Sequence, residues 1–530
     1  MSNRLKIKRS AVSSLVIFFI SVGYLLSFYN YGINLHDEGI LLNGALRLLH
    51  GDVIGRDFFN YPHIAGIQAL YAFLFKLFGI KLDVVRLFAV FLTAVTVALG
   101  YLVSKKIMPD AFAVIVAALL LVAPGPYYAR FFAFFTFLYL LIISKYLERM
   151  SSFWLLTAAA VTGISFGFRI DSGLIAAATT GIVIAIRNIY YAQSGFIKEK
   201  DRPVKKPIKE LLLFYSAVSI FAAPTVIYFI LPAVKNNLVS FSRSSLSNFL
   251  YYAALPFATL VPAVNPSNLE AIERIRAVFE KSLFYLPMFL YAITFLSIIR
   301  RFILKKIRQT DLCLILFMTY GVLAYYRVIY RPDFEHLLNS FSAVYVIGCY
   351  FLFRIWNKSK VLTSILILII PITLIADIAF CHGFQLGSVG ILRDKHVLLD
   401  LPRARIYCPP YDAEVIKETV DYIEANTNPT DKIFALPFNP ILYFLCGRRN
   451  ATRYDILLFP AVPNQTIQQK VLKELKESQP GYIIFQDYPD DGREEHKFSH
   501  YAKLISDYIL SNYSREIKIG PLDVLSRMRK

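Results

Sequence analysis

Between Ala11 and about Cys381 the chain returns again and again to uninterrupted apolar runs of about 20 residues, the length a helix needs to cross a bilayer. A soluble core rarely needs such runs, so the expected class is a polytopic α-helical membrane protein. The hydrophobic content of 56% and mean hydropathy of +0.51 agree with that. A net charge of +20 would suit a nucleic-acid binder. Here, however, Lys and Arg cluster at the ends of apolar runs, where anionic headgroups and the positive-inside bias explain them. The partners this implies are membrane lipids and no nucleic acid.

The first run, Ala11 to Tyr31, follows a basic start (Arg4, Lys6, Lys8, Arg9) and lacks a small-x-small cleavage site, so it reads as an uncleaved first span. Further spans are expected near 84–104, 111–126, 127–147, 153–168, 170–187, 211–232, 283–300, 311–329, 336–354 and 361–381. The basic loops Arg187–Lys209, Arg300–Arg308 and Arg354–Lys360 belong in the cytoplasm. Parity then makes Ile64 to Gly79, which is short and carries Lys76, an interfacial helix that does not cross. About 11 crossings result. The division is a transmembrane domain over 1–381, with a first outer loop at 32–63 and the interfacial helix at 64–79, and an extracytoplasmic soluble α/β domain over 382–530.

In that second domain, Asp412–Asn426 and Ile467–Ser478 have helical spacing, whereas Lys432–Leu436 and Tyr482–Phe485 read as buried strands. Cys408 and Cys446 fall there and leave two readings open, a disulfide or two unpaired small residues. None of the five cysteines has metal-site spacing.

The inferred topology gathers ionisable groups on the outer face. They are His36, Asp37, Glu38, Asp57, His63, Arg130, Arg169, Asp171, Arg331, Asp333 and His336. Such groups are costly to bury at membrane ends, so their shared side points to a pocket, although for a lone Arg headgroup contact is the simpler reading. Asp37 and Glu38, adjacent and just past the first span, suit a proton acceptor or metal ligand. The bland alternative is a solvated loop start. Arg331-Pro332-Asp333 and His336 occupy a very short outer turn, and Arg169 with Asp171 either serves a substrate or satisfies itself.

This arrangement resembles the GT-C superfamily of membrane glycosyltransferases, the group containing protein O-mannosyltransferases and lipid A aminoarabinose transferases. Its members place an acidic pair in the first outer loop, where this chain has Leu35-His36-Asp37-Glu38-Gly39. The stretches Gly51–Phe59, Tyr61-Pro62-His63, Leu77-Phe78-Gly79 with Arg86, Phe168–Gly173 and Arg331–Leu337 are similar to segments of bacterial members. The chain departs at Tyr61-Pro62-His63, where many relatives carry paired prolines or Gly-Pro-Gly, and at Arg169, where they carry Lys.

The resemblance implies transfer of a sugar from a polyprenyl-phosphate carrier to a lipid, glycan or protein acceptor at the outer face of the cytoplasmic membrane. An acceptor oxygen needs a base, for which Asp37 is the first candidate and Glu38 the reserve. Departure of a lipid phosphate exposes negative charge, which Arg130, Arg169 and Arg331 could hold bidentately while His336 adds a hydrogen bond or a proton. His36, Asp57, Tyr61, His63, Asp171, Tyr330 and Asp333 are the candidates for lining the sugar and acceptor. No separate nucleophile is evident, so direct, inverting displacement is expected. Asp37, Glu38 and Asp57 offer hard oxygen ligands for Mg²⁺ or Mn²⁺, but their spacing is no metal signature, and action without a cofactor is favoured.

Three alternatives compete. A transporter or flippase of lipid-linked sugars would carry repeats and midplane polar groups, which this chain lacks. An O-antigen polymerase or ligase would concentrate its charges in a large late loop. A functional tail on an elaborate anchor is the third, and one span would anchor it as well.

Overall fold

A computed structural model of the chain describes residues 2–58, 65–122, 130–194, 207–232, 271–304, 306, 308–330, 337–338, 340–361, 364–365, 395–457, 465–489 and 494–528. Its elements begin with α1 (Ser2–Leu26), α2 (Asp37–Leu49), α3 (Ala65–Phe78), α4 (Leu82–Ser104), α5 (Asp110–Val122) and α6 (Arg130–Arg149). These are followed by α7 (Ser152–Phe168), α8 (Ile170–Ser194), α9 (Pro207–Thr225), α10 (Ala271–Ile303), α11 (Gln309–Ala324), α12 (Tyr326–Tyr330) and α13 (Ser342–Trp356).

The tail starts with the strands β1 (Val397–Leu401) and β2 (Ala404–Cys408), then α14 (Pro410–Asn426), β3 (Lys432–Leu436), α15 (Ile441–Cys446) and β4 (Arg449–Asn450). It ends with α16 (Gln465–Ser478), β5 (Tyr482–Phe485), α17 (Phe498–Tyr501), α18 (Lys503–Asn512), β6 (Tyr513–Ile519) and β7 (Leu522–Arg527).

Six helices among the described residues are long and apolar enough to cross a membrane, within Leu82–Ser104, Arg130–Arg149, Ile170–Ile189, Pro207–Ile230, Ser282–Ile303 and Thr310–Val328. Shorter apolar helices cover Ser10–Leu26, Asp110–Val122, Ser152–Phe168 and Ser342–Trp356, four places where the sequence also predicts spans. Most of the span expected at 361–381 lies outside the described residues.

Contacts divide the chain into two units. The first holds residues 1–28, 88–224 and 241–390, and the second holds 29–87, 225–240 and 391–530. The sequence reading draws its boundary at 381 and keeps 32–79 with the membrane region, whereas by contacts 29–87 pack with the tail.

In the first unit α6, α7, α8 and α11 pack together, with α10 and α13 on α11. Small residues let the helices approach: a Cβ on Gly163 of α7 would lie 2.8 Å from the Val218 carbonyl oxygen of α9, and one on Gly181 of α8 would lie 2.6 Å from the Tyr215 hydroxyl. Hydroxyl pairs bind the same helices, Thr136 to Tyr320 at 2.8 Å and Tyr139 to Thr180 at 2.8 Å. In an apolar bundle such pairs satisfy groups that would otherwise be costly.

The second unit is built on a five-stranded sheet of order β4-β3-β5-β7-β6. β4, β3 and β5 run parallel, and β7 and β6 are antiparallel additions. Phe434, Leu436, Val471, Leu475, Ile483, Ile505 and Ile509 form its core, as buried strands flanked by amphipathic helices require. Cys408 and Cys446 are free and buried.

The loop expected at 32–63 contains a helix, α2, whose residues Glu38 to Leu46 are all buried. Two glycines explain how it is buried so fully. A Cβ on Gly39 would lie 2.5 Å from the Ile441 backbone nitrogen, and one on Gly44 would lie 2.5 Å from the Gln68 side chain. The chain therefore lies directly against α15 and α3.

Candidate functional site

The acidic pair opens α2 in the second unit. Asn34 starts the helix, because its Oδ1 accepts the backbone N–H of His36 at 3.0 Å and of Asp37 at 2.9 Å. Asp37 is half-buried on the first turn, where unpaired amides favour negative charge. His36 stacks on Phe438 at 4.7 Å between ring centroids and donates from Nδ1 to the Phe438 carbonyl. A carbonyl can only accept, so the proton sits on Nδ1 and a neutral ring leaves Nε2 as an acceptor. Phe438 follows the carboxyl end of β3, the end of a parallel sheet at which ligand sites form.

Glu38 is held differently. It is 4% exposed and receives two parallel hydrogen bonds from Arg86, Nε to Oε1 at 2.9 Å and Nη2 to Oε2 at 2.8 Å. Arg86, 1% exposed, also donates to the carbonyls of Tyr29 (3.2 Å), Tyr31 (3.4 Å) and Gly32 (2.7 Å). One guanidinium thus fastens the second acid and the strand of chain before it. Asp57 caps the turn at 53–57, accepting from the Val53 amide at 2.8 Å and pairing with Arg56 at 2.7 Å. The Arg56 hydrogen bond holds the Asp57 carboxyl below the usual range. Among the described residues no three His, Cys, Asp or Glu side chains are grouped to hold a metal ion, so the trio Asp37, Glu38 and Asp57 is not assembled. The reason is local, since Arg86 takes Glu38 and Arg56 takes Asp57.

In the first unit the α7–α8 junction carries a second cluster. Arg169 breaks the helix with an extended backbone, φ −163° and ψ 115°, and its carbonyl accepts from Ser172 and Gly173 to start α8. Asp171 is shared between two guanidiniums, Arg169 Nε at 2.8 Å and Arg327 Nε at 2.8 Å, and it also accepts from the Tyr326 hydroxyl at 3.0 Å. Arg327 donates to Ser172 Oγ at 2.8 Å, and Arg169 lies over the Phe132 ring at 4.1 Å. Arg130, 5% exposed, starts the helix that carries Phe132. The bundle therefore has one end with two cations on one carboxylate. The other end of α6 carries the Lys106–Glu148 pair at 2.7 Å, and the far part of α8 the Arg187–Glu210 pair at 2.5 Å.

Of the predicted site residues, the structure brings His36, Asp37 and Glu38 together in the second unit, with Asp57 beyond the far end of α2, and gathers Arg169 with Asp171 in the first. Tyr61, His63, Arg331, Asp333 and His336 lie outside the described residues, and Tyr330 is described by its backbone alone. Two residues escaped the sequence reading of the site, Arg327 and Arg86. A charge inside an otherwise apolar run is itself the signal that could have found them.

No protein-family model and no curated protein sequence matches the chain. Solved structures do. ArnT from Cupriavidus metallidurans bound to undecaprenyl phosphate superposes with a TM-score of 0.54 at 12% identity, over 99% of this chain and 98% of that one. The apo state of that protein gives 0.51 at 11% identity, over 100% and 99%. Archaeal oligosaccharyltransferase AglB from Archaeoglobus fulgidus, in complex with an inhibitory peptide and a dolichol-phosphate, gives 0.51 at 11% identity, over 97% and 74%. The chain has the fold of these proteins.

Proposed function

We propose, from the GT-C fold shared with ArnT and AglB, that this protein is a membrane glycosyltransferase that takes a sugar from a polyprenyl-phosphate carrier and gives it to an acceptor outside the cytoplasmic membrane. Both neighbours were solved with a polyprenyl-type phosphate, and that supports the donor class. The observation that carries the reading is the Arg169–Asp171–Arg327 group, where a half-buried and a buried guanidinium share one carboxylate at the end of an apolar bundle. Net positive charge in such surroundings is costly alone and suits a lipid phosphate.

In this mechanism Asp37 removes the proton of the acceptor hydroxyl. The acceptor oxygen displaces the carrier phosphate at the anomeric carbon with inversion, and Arg169 and Arg327, with Arg130, Arg331 and His336 as further candidates, take up the charge left on the phosphate. Glu38 serves as a positioning residue, because Arg86 occupies both of its oxygens and ties the start of α2 to residues 29–32. His36, Asp57, Tyr61, His63, Asp171, Tyr330 and Asp333 remain substrate-lining candidates. We favour this displacement without a metal cofactor.

The test is transfer from radiolabelled polyprenyl-phosphate sugars in membranes containing the wild type or Asp37→Asn. We expect the variant to lose about 10²–10⁴-fold in rate, the range for removing a general base. Transfer at the wild-type rate would remove Asp37 from this role.

A further inference from the structure

A cavity of about 380 Å³ opens beside the C-terminal half of α2, within the second unit and away from the acidic pair. Thirteen residues of α2 separate its two ends, a length of about 20 Å. Five Lys or Arg side chains reach this cavity, and their pairing is uneven. Arg47 is neutralised by Asp52 at 3.0 Å and Asp455 at 3.1 Å, and Arg453 by Glu474. Among the described residues Arg448, 7% exposed, donates only to neutral oxygens, the Thr427 hydroxyl at 2.8 Å and the carbonyls of Cys446 at 2.8 Å and Thr427 at 3.0 Å.

Lys432 and Arg449 stand opposite each other in the register of β3 and β4, both exposed, and neither has a carboxylate partner among the described residues. Two like charges side by side on neighbouring strands repel weakly in solvent, and together they suit a bound anion. Ser478 and Glu477 also line the cavity; among the described residues Ser478 Oγ is buried without a partner, and Glu477 meets only Lys473 at 3.9 Å. Hydroxyl and carboxylate groups of this kind pair with sugar hydroxyls.

We propose that this cavity binds an anionic saccharide group of the acceptor, a sugar phosphate or a uronic acid, with Lys432, Arg448 and Arg449 on the acid group and Glu477 and Ser478 on the hydroxyls. That the bound sugar belongs to the acceptor rests on the glycosyltransferase reading. The separation along α2 then selects an acceptor longer than a single sugar, held at one end while another residue of the same glycan meets Asp37.

Binding is measured on the full-length protein in detergent with no donor present, using glucose 6-phosphate, glucuronate, glucose and inorganic phosphate as probes. Glucose 6-phosphate and glucuronate should bind at least tenfold tighter than glucose. The double variant Lys432→Ala/Arg449→Ala, at two exposed positions, should weaken both at least tenfold, while Asp37→Asn leaves them unchanged. Unaltered binding by a double variant with wild-type circular dichroism would overturn the site. Inorganic phosphate binding as tightly as glucose 6-phosphate would mark a simple anion site and overturn its saccharide part. Transfer activity without any probe binding defeats this inference alone, whereas probe binding without transfer from any polyprenyl-phosphate sugar defeats the glycosyltransferase reading and the assignment of the sugar to an acceptor, and leaves the anionic-saccharide site standing.

Discussion

Arg86 offers the sharpest test of how the acidic pair is held. Replacing it with Met keeps an apolar stem of similar length but strands the Glu38 carboxylate, 4% exposed, without its two guanidinium hydrogen bonds. The carbonyls of Tyr29 and Gly32 lose their donors as well. Breaking one side of a buried ion pair costs about 3–5 kcal/mol. The second unit comprises roughly 200 residues, for which about 2–4 °C is lost per kcal/mol, so Tm should fall by about 6–20 °C.

Glu38→Gln should cost less, since an amide oxygen still accepts from Arg86. The double variant should be less destabilised than the sum of the singles by about 0.5–3 kcal/mol, the coupling expected of groups in contact. The assay is thermal unfolding of the detergent-solubilised full chain by intrinsic fluorescence, run beside transfer from a labelled donor. If Arg86→Met melts within a degree of wild type, or the two changes are strictly additive, the pair does not organise α2 and the assignment of Glu38 to positioning fails.

Arg327→Gln should lower transfer by about 10²–10³-fold, as removal of one charge-stabilising donor does, with the loss read in single-turnover assays at saturating donor. Gly39→Ala places a methyl group 2.5 Å from the Ile441 backbone nitrogen and should cost about 1–3 kcal/mol, seen as a lower Tm, with transfer falling in parallel because Asp37 moves with α2. The His50 imidazole is held below its usual range, first by partial desolvation and then by Arg449, Arg403 and Arg47 against the opposing Asp52. A lowered His contributes stability above about pH 6.5 that disappears as pH falls through the folded value, so His50→Gln should flatten the loss of Tm between about pH 6.5 and 5. With His50 exposed, the effect should stay below about 1 kcal/mol. Cys408 and Cys446, whose thiols burial pushes up to about 11 and about 12, should resist maleimide until the protein is unfolded.

Much of the helical scaffold was legible because a membrane span is written in a single variable, apolar length. The expected intervals 84–104, 153–168 and 170–187 coincide closely with α4, α7 and the start of α8. In the tail, the strands at Lys432–Leu436 and Tyr482–Phe485 were legible because, past an exposed or half-buried first residue, each is buried on both faces and apolar. β6 was not, since an edge strand with Arg515, Glu516 and Lys518 turned outward has no such run. The helix α2 was hidden for a different reason: Gly39 and Gly44 read as loop residues, and only contact with Ile441 and Gln68 reveals why a helix needs them.

Sequence by itself determined the class of the chain and most of its helices, because hydrocarbon solvent demands satisfied backbones and apolar surfaces wherever the chain crosses. It also put Asp37, Arg169 and Asp171 among the residues of interest, because charge beside an apolar run is costly enough to need a reason. Tertiary structure alone decided their partners. That Arg86 takes Glu38 across 48 residues, that Asp171 is shared with Arg327 across 156, and that residues 29–87 pack with the tail all depend on long-range closure. A side chain's partner is set by distance in space, and no local spacing encodes it.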